Sequence, residues 1–186
     1  MSPVYPLPGQ RMPVTVLSAV DLVLRAALSA DLLLDAPDAV ILRYDTAGDG
    51  DGALEVLVMG SSGVIAHELV ELDHECISCA MREDAQPRIE ELAGSGICSG
   101  VVLALPIAAD PQAVAGSLDP ELRGARVAST AALVDTDHAL QDLLGDDTLA
   151  ERGLCWTSGD ERSVGVALAQ QIGLFRVECG CAGGAG

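Results

Sequence analysis

Cys76-Ile-Ser-Cys79 sets two thiols three residues apart, close enough to share one soft metal ion or to close into a disulfide. Glu71, Asp73, His74, Glu75, Glu83 and Asp84 surround them in the sequence. Structural zinc sites take four ligands, and one C-x-x-C supplies two. His74, Glu75, His67, Cys98 or another carboxylate would have to complete the shell, or the site would stay open and exchange its metal. A dense acidic field favours a bound dication, which offsets the repulsion. It also weakens a thiol–disulfide role, because reactive thiols lie in electropositive settings. Metal site, redox pair and chance neighbours all remain open on the local pattern, with metal first.

The rest of the chain offers less chemistry. The ten basic residues are all Arg, so lysine Schiff bases and lysine-dependent phosphate loops are excluded. Acidic residues outnumber basic ones 28 to 10, for a formal net charge of -18. That balance disfavours nucleic acid and anionic membrane surfaces as partners. No Ser-His-Asp spacing appears, and no carboxylate pair stands out from the acidic background. His67 falls in a strand-like run, His138 at a helix start, and Cys98 and Cys155 read as small buried residues. Trp156, the single Trp, reads as a packing residue, and Cys179 and Cys181 form a C-x-C in a Gly-rich tail.

At 186 residues the chain suits one core. With 49% apolar residues and 2% aromatic, that core is built from Leu, Val, Ala and Ile. Val14–Leu17, Ala39–Tyr44, Val101–Leu105 and Ala125–Val134 read as buried strands. Leu54–Met59 and Val64–Leu72 read as a hairpin joined through Gly60-Ser-Ser-Gly63, and Thr46–Gly52 as a turn. Asp21, Arg25 and Ser29 recur every four residues in a helix from about Asp21 to Leu34, where Asp21 and Arg25 are ordered for a surface i,i+4 pair. Further helices are expected over Arg82–Ala93, from Asp110, and over Asp160–Ile172, with the cysteine pair in the polar loop before the first of them. Strands alternating with helices predict an α/β fold with a mostly parallel sheet flanked by helices. Residues 1–12 form a Pro-rich arm without signal-peptide order, 13–177 the domain, and 178–186 a disordered tail. Three charges within Val14–Leu34 argue against a membrane span, and a cytoplasmic location with reduced cysteines is expected.

Four stretches give the chain a likeness to a known family. They are Met12-Pro-Val-Thr-Val-Leu-Ser18, His74-Glu-Cys-Ile-Ser-Cys-Ala-Met-Arg-Glu-Asp84, Ala109-Asp-Pro111, and Ala132-Leu-Val-Asp135 with Asp147-Thr-Leu-Ala-Glu-Arg-Gly-Leu154 and Asp160-Glu-Arg162. In this order they resemble the nucleotide-binding domain of the CobW-type family of GTP-dependent metallochaperones, relatives of the nickel-insertion GTPases. The second stretch looks like the family's Gly-Cys-x-Cys-Cys metal motif with its Arg-Glu-Asp run. The resemblance covers roughly Met12 to Phe175. It implies a P-loop-NTPase-like sheet, truncated at its C-terminal end, and a metal-handling role, with zinc or another soft divalent ion held by Cys76 and Cys79, assisted by His74 or Glu75. It also implies a protein client or paralogue as partner.

The departures define what the resemblance does not carry over. Where the family has Gly-x-x-Gly-x-Gly-Lys-Thr, this chain has Ala19-Val-Asp-Leu-Val-Leu-Arg-Ala26. Such a loop needs glycines so that successive N–H groups turn to the phosphates. Asp21 would instead cap those N–H groups itself. The second motif's Glu and Gly fall at Ala104 and Ile107, and the guanine motif does not follow. Ser78 and Glu75 stand where the metal motif has its middle Cys and leading Gly. The expectation is a metal-binding protein without GTP binding or turnover; the alternative is an interaction module that acts through a partner without metal or nucleotide chemistry.

Overall fold

Short β-branched runs that are apolar at nearly every position need cover on both faces, and the intervening helices supply it. The structure, a computed structural model, describes residues 10–47, 52–72, 76–157 and 159–178, with 172–178 described by backbone alone. The strands are β1 (Met12–Ala19), β2 (Ala39–Ala47), β3 (Ala53–Gly60), β4 (Gly63–Glu71), β5 (Gly100–Ala104) and β6 (Ala125–Leu133). The helices are α1 (Leu22–Asp35), α2 (Ile77–Ser95), α3 (Pro111–Leu118), α4 (Ala139–Leu144) and α5 (Val164–Glu178). The strands form one six-stranded sheet in the order β4-β3-β2-β5-β1-β6. β3 pairs antiparallel with both β2 and β4, and the β2–β5, β5–β1 and β1–β6 pairings are parallel. This is the α/β, mostly parallel sheet that the alternation predicts, and it is compatible with a P-loop-like architecture.

The register divides the core by side-chain parity. Val16 lies opposite Leu103 on one side and Thr130 on the other. Met12, Val14, Val16, Val40, Leu42, Tyr44 and Leu103 share one face with Ile77, Ala80, Met81, Ala85 and Ile89 of α2. Leu17, Ile41, Val102 and Ala104 share the other, smaller core with Leu28, Leu32 and Leu33 of α1. Neighbours β1 and β5 send their chains in opposite directions, β1 through α1 to β2 and β5 through α3 to β6. Such a switch point opens a crevice at the carboxyl edge of an α/β sheet, the usual seat of a ligand. Trp156 and Cys98 are buried as expected. Among the described residues, no helix is long and apolar enough to cross a membrane.

Three expectations are corrected. Arg25 is not a surface partner of Asp21: it is 2% exposed, and with Ser29 it forms the buried face of α1. The outer face carries apolar side chains instead, with Val23 77% and Leu34 79% exposed. The reason lies in the crevice. Carbonyls of Tyr44 and Leu105 lie there, and both accept from the buried guanidinium. Second, α2 begins five residues before Arg82, so Cys79 lies in its first turn and Cys76 is its N-cap, rather than both lying in a polar loop. Third, α5 begins at Val164 rather than Asp160. Ser163 Oγ accepts from the Val166 N–H, while Asp160 is engaged by Arg162. The tail thiols Cys179 and Cys181 lie outside the described residues, as do most of the 46–52 turn and the pair His74 and Glu75.

Candidate functional site

The cysteine pair is positioned by what anchors α2. Tyr44, fully buried in β2, donates its hydroxyl to Asp84 Oδ2 at 2.6 Å. Arg88, one turn on, donates from Nε to the same oxygen at 2.7 Å and from Nη2 to Glu68 of β4 at 2.8 Å. Burial, then the Asp84 charge, raises the Tyr44 pKa and keeps the phenol protonated as a donor. Asp84 of the Arg-Glu-Asp run is therefore turned away from the cysteines and holds the helix to the sheet. Gly96 ends the helix in the left-handed region at φ 65°, as its place in the sequence suggests.

At the other end of α2, Cys76 has extended dihedrals and its carbonyl accepts from the N–H groups of Cys79, at 3.1 Å, and Ala80, at 3.0 Å. Both thiols are exposed. No side-chain bond caps the helix at Cys76, and the donors that act on its thiol are the Cys79 N–H, the Cys79 thiol and the Ser78 N–H. These donors, the Cys79 N–H above all, hold the Cys76 thiol below the ordinary range, with Arg162 adding to the effect from a distance. Cys79 moves the other way: its hydrogen bond to Cys76, then the Cys76 charge, raises its pKa. The two thiols thus titrate as an interacting pair, Cys76 shifted down and Cys79 up. Asp84 is spent on Tyr44 and Arg88, and Asp160 on Arg162, so backbone donors dominate at Cys76.

Ser78, where the resemblance leads one to expect a third thiol, has its Oγ 3.3 Å from the Asp110 N–H, from which it accepts. It ties the first turn of α2 to the start of α3. Beside Cys76 opens a cavity of about 330 Å³, whose walls include Ser78, Asp110, Trp156, Asp160 and Arg162. Arg162 is held in that wall by Asp160, with Nε–Oδ1 and Nη2–Oδ2 both 2.8 Å, and by the Ala108 carbonyl at 2.8 Å. Spacing gave no means of placing Arg162 there, since 86 positions separate it from Cys76. Among the described residues, no group of three or more His, Cys, Asp or Glu side chains stands ready for a metal. His67 is not near such a group; it lies exposed on β4 and pairs with Glu55 at 2.6 Å. Cys98 and Cys155 are buried away from the pair, and burial raises the Cys98 thiol.

The switch-point crevice is differently furnished. Asp21 Oδ1 accepts from the N–H groups of Val23, at 2.7 Å, and Leu24, at 3.0 Å. Behind it Arg25 donates to the Leu105 carbonyl at 2.6 Å and the Tyr44 carbonyl at 3.2 Å, and pairs with Asp45, which Arg43 also approaches at 2.9 Å. Burial lowers the Arg25 pKa and Asp45 opposes it. The Val23 and Leu24 N–H groups and both Nη atoms of Arg25 are therefore already engaged, while Arg25 Nε is buried without a partner.

No protein-family model matches this chain, and no curated protein matches it.

Proposed function

We propose that this protein binds a soft divalent metal, zinc in the first place, through Cys76 and Cys79, and serves metal homeostasis or delivery as a CobW-like protein that does not bind or turn over GTP. The observation that supports this most is the meeting of two exposed thiols at the first turn of α2, one of them held below its ordinary pKa. A metal ligand must be a thiolate, and the lowered Cys76 pKa favours that form. Two thiolates fill half of a tetrahedral shell. His74 and Glu75, adjacent in sequence, are the nearest further donors, and an open position suits a site that passes its metal on. A cytoplasmic setting, which keeps thiols reduced, belongs to this reading.

The test is metal analysis of protein purified without chelator, beside Cys76→Ala/Cys79→Ala. Stoichiometric zinc is expected in the parent, and near-complete loss in the double variant; equal metal in both sinks the proposal. Asp21 and Arg25 support the nucleotide part. A fluorescent GTP analogue should show no saturable binding up to high micromolar concentration.

The apolar outer face of α1 favours a second reading, an interaction module. Leu33, Leu34, Met59 and Val64 line a groove of about 430 Å³ between this helix and the β3–β4 hairpin. On that reading Val23→Asp/Leu34→Asp abolishes capture of a partner that Cys76→Ala/Cys79→Ala retains.

A further inference from the structure

Two exposed thiols at one helix start have a second use, independent of whether they take a metal. Cys76 is the N-cap and Cys79 the third residue of α2, so both stand on the same first turn. Positions so spaced at a helix start lie within the backbone separation that a disulfide spans. Access is unequal. Cys76 forms part of the wall of the 330 Å³ cavity, which Cys79 does not line. The wall of the cavity also carries Trp156, Asp110, Asp160 and Arg162, the last held by Asp160 and the Ala108 carbonyl. The remaining described thiols, Cys98 and Cys155, are buried, so the exposed pair is chemically singled out among the described cysteines.

We propose that Cys76 and Cys79 form a thiol–disulfide exchange site, with Cys76 attacking an external disulfide held in the adjoining cavity and Cys79 resolving the product. In the first step the Cys76 sulfur attacks one sulfur of R–S–S–R; that bond breaks, R–S⁻ leaves and takes up a proton. In the second, Cys79 loses its proton and attacks the Cys76 sulfur of the mixed disulfide, releasing the second R–S⁻. The chain ends with a Cys76–Cys79 disulfide, two electrons have passed to the external disulfide, and two R–SH are formed. The reverse sequence reduces the chain.

The experiment uses the full chain, reduced and kept in chelator so that bound metal cannot shield the sulfurs. Oxidised glutathione and a disulfide-linked peptide pair are offered in parallel, the reaction is quenched by alkylation, and each cysteine is assigned by peptide mapping. The expected product is the Cys76–Cys79 disulfide, and the reagent that forms it faster shows whether small molecules or peptides are the natural class. With Cys79→Ser a mixed disulfide accumulates on Cys76, about tenfold faster than any forms on Cys79 in Cys76→Ser. Failure of both reagents to oxidise the parent pair, or equal trapping by the two single variants, overturns the proposal. Zinc retention by the reduced parent is measured separately. The metal reading can therefore fail while exchange survives, and the reverse.

Discussion

α1 and α2 both start at the carboxyl edge of the same sheet, and their first turns are furnished in opposite ways. At α1 a carboxylate accepts from two free N–H groups, and an arginine behind it fills the crevice. At α2 the capping position carries a thiol, which as a neutral group is a weak acceptor. α3 repeats the first solution, with Asp110 Oδ1 accepting from Gln112 at 2.9 Å and Ala113 at 3.2 Å. The positive end of a helix attracts an anion whatever its source. Where the chain supplies its own carboxylate, the end is closed to ligands. Where it supplies a sulfur, the same donors stabilise a thiolate that stays exposed. The difference assigns structure to one helix start and chemistry to the other.

The largest effect should come from opening the closed crevice. Arg25→Ala leaves the carbonyls of Tyr44 and Leu105 without their side-chain donor and Asp45 with Arg43 alone, and breaking a buried pair in this way costs roughly 3–5 kcal/mol. Asp45 keeps some exposure, so the lower end is expected. Urea unfolding measures it, and Asp45→Asn on the Arg25→Ala background should cost far less than Asp45→Asn alone. Additive losses would mean that the guanidinium serves the fold by packing rather than as a donor.

This region also shows where sequence was readable and where it was not. The strand positions followed from apolar runs at Val14–Leu17 and Val101–Leu105, because burial on both faces imposes a composition. The Asp21 and Asp110 caps were equally plain, being set by one residue type before a helical run. Arg25 was not. Its nearest acid in sequence is Asp21, at the favourable spacing, and only the crossing of α1 over the ends of β2 and β5 makes Asp45 and two carbonyls its partners. The cysteine pair was legible as a pair, since spacing is local. Its electrostatics were not, because Asp84 is drawn off by Tyr44 and Arg88, and Arg162 is held by Asp160, pairings that only the fold makes. The cavity wall formed by Trp156 and Arg162 has no local signature at all.

A smaller effect separates the two helix starts directly. Asp21→Ala removes a true cap and should destabilise by about 1 kcal/mol, whereas Cys76→Ala should cost a few tenths. Cys76 makes no side-chain cap bond, so its small cost is that of the side chain alone. Circular dichroism during urea unfolding resolves the two. Equal losses would show that the thiol caps α2 as well as a carboxylate caps α1, and the contrast would collapse.

The smallest and most pointed change is Cys76→Asp, which gives α2 the start that α1 already has. At neutral pH it should stabilise the protein by about 0.5 kcal/mol, because a carboxylate accepts from the open N–H groups more strongly than a thiol. The sign of the pH dependence tests the cause. Cys76 has a lowered pKa in the folded chain, so its contribution is full above the unfolded thiol value and is lost as pH falls through the folded one. In Cys76→Asp the corresponding window drops to the carboxylate range, so the variant's advantage should be greatest near neutrality and vanish in acid. The same variant should lose zinc and exchange chemistry together, because both need the sulfur. A gain in stability with loss of function is the expected signature of a helix start left open for use.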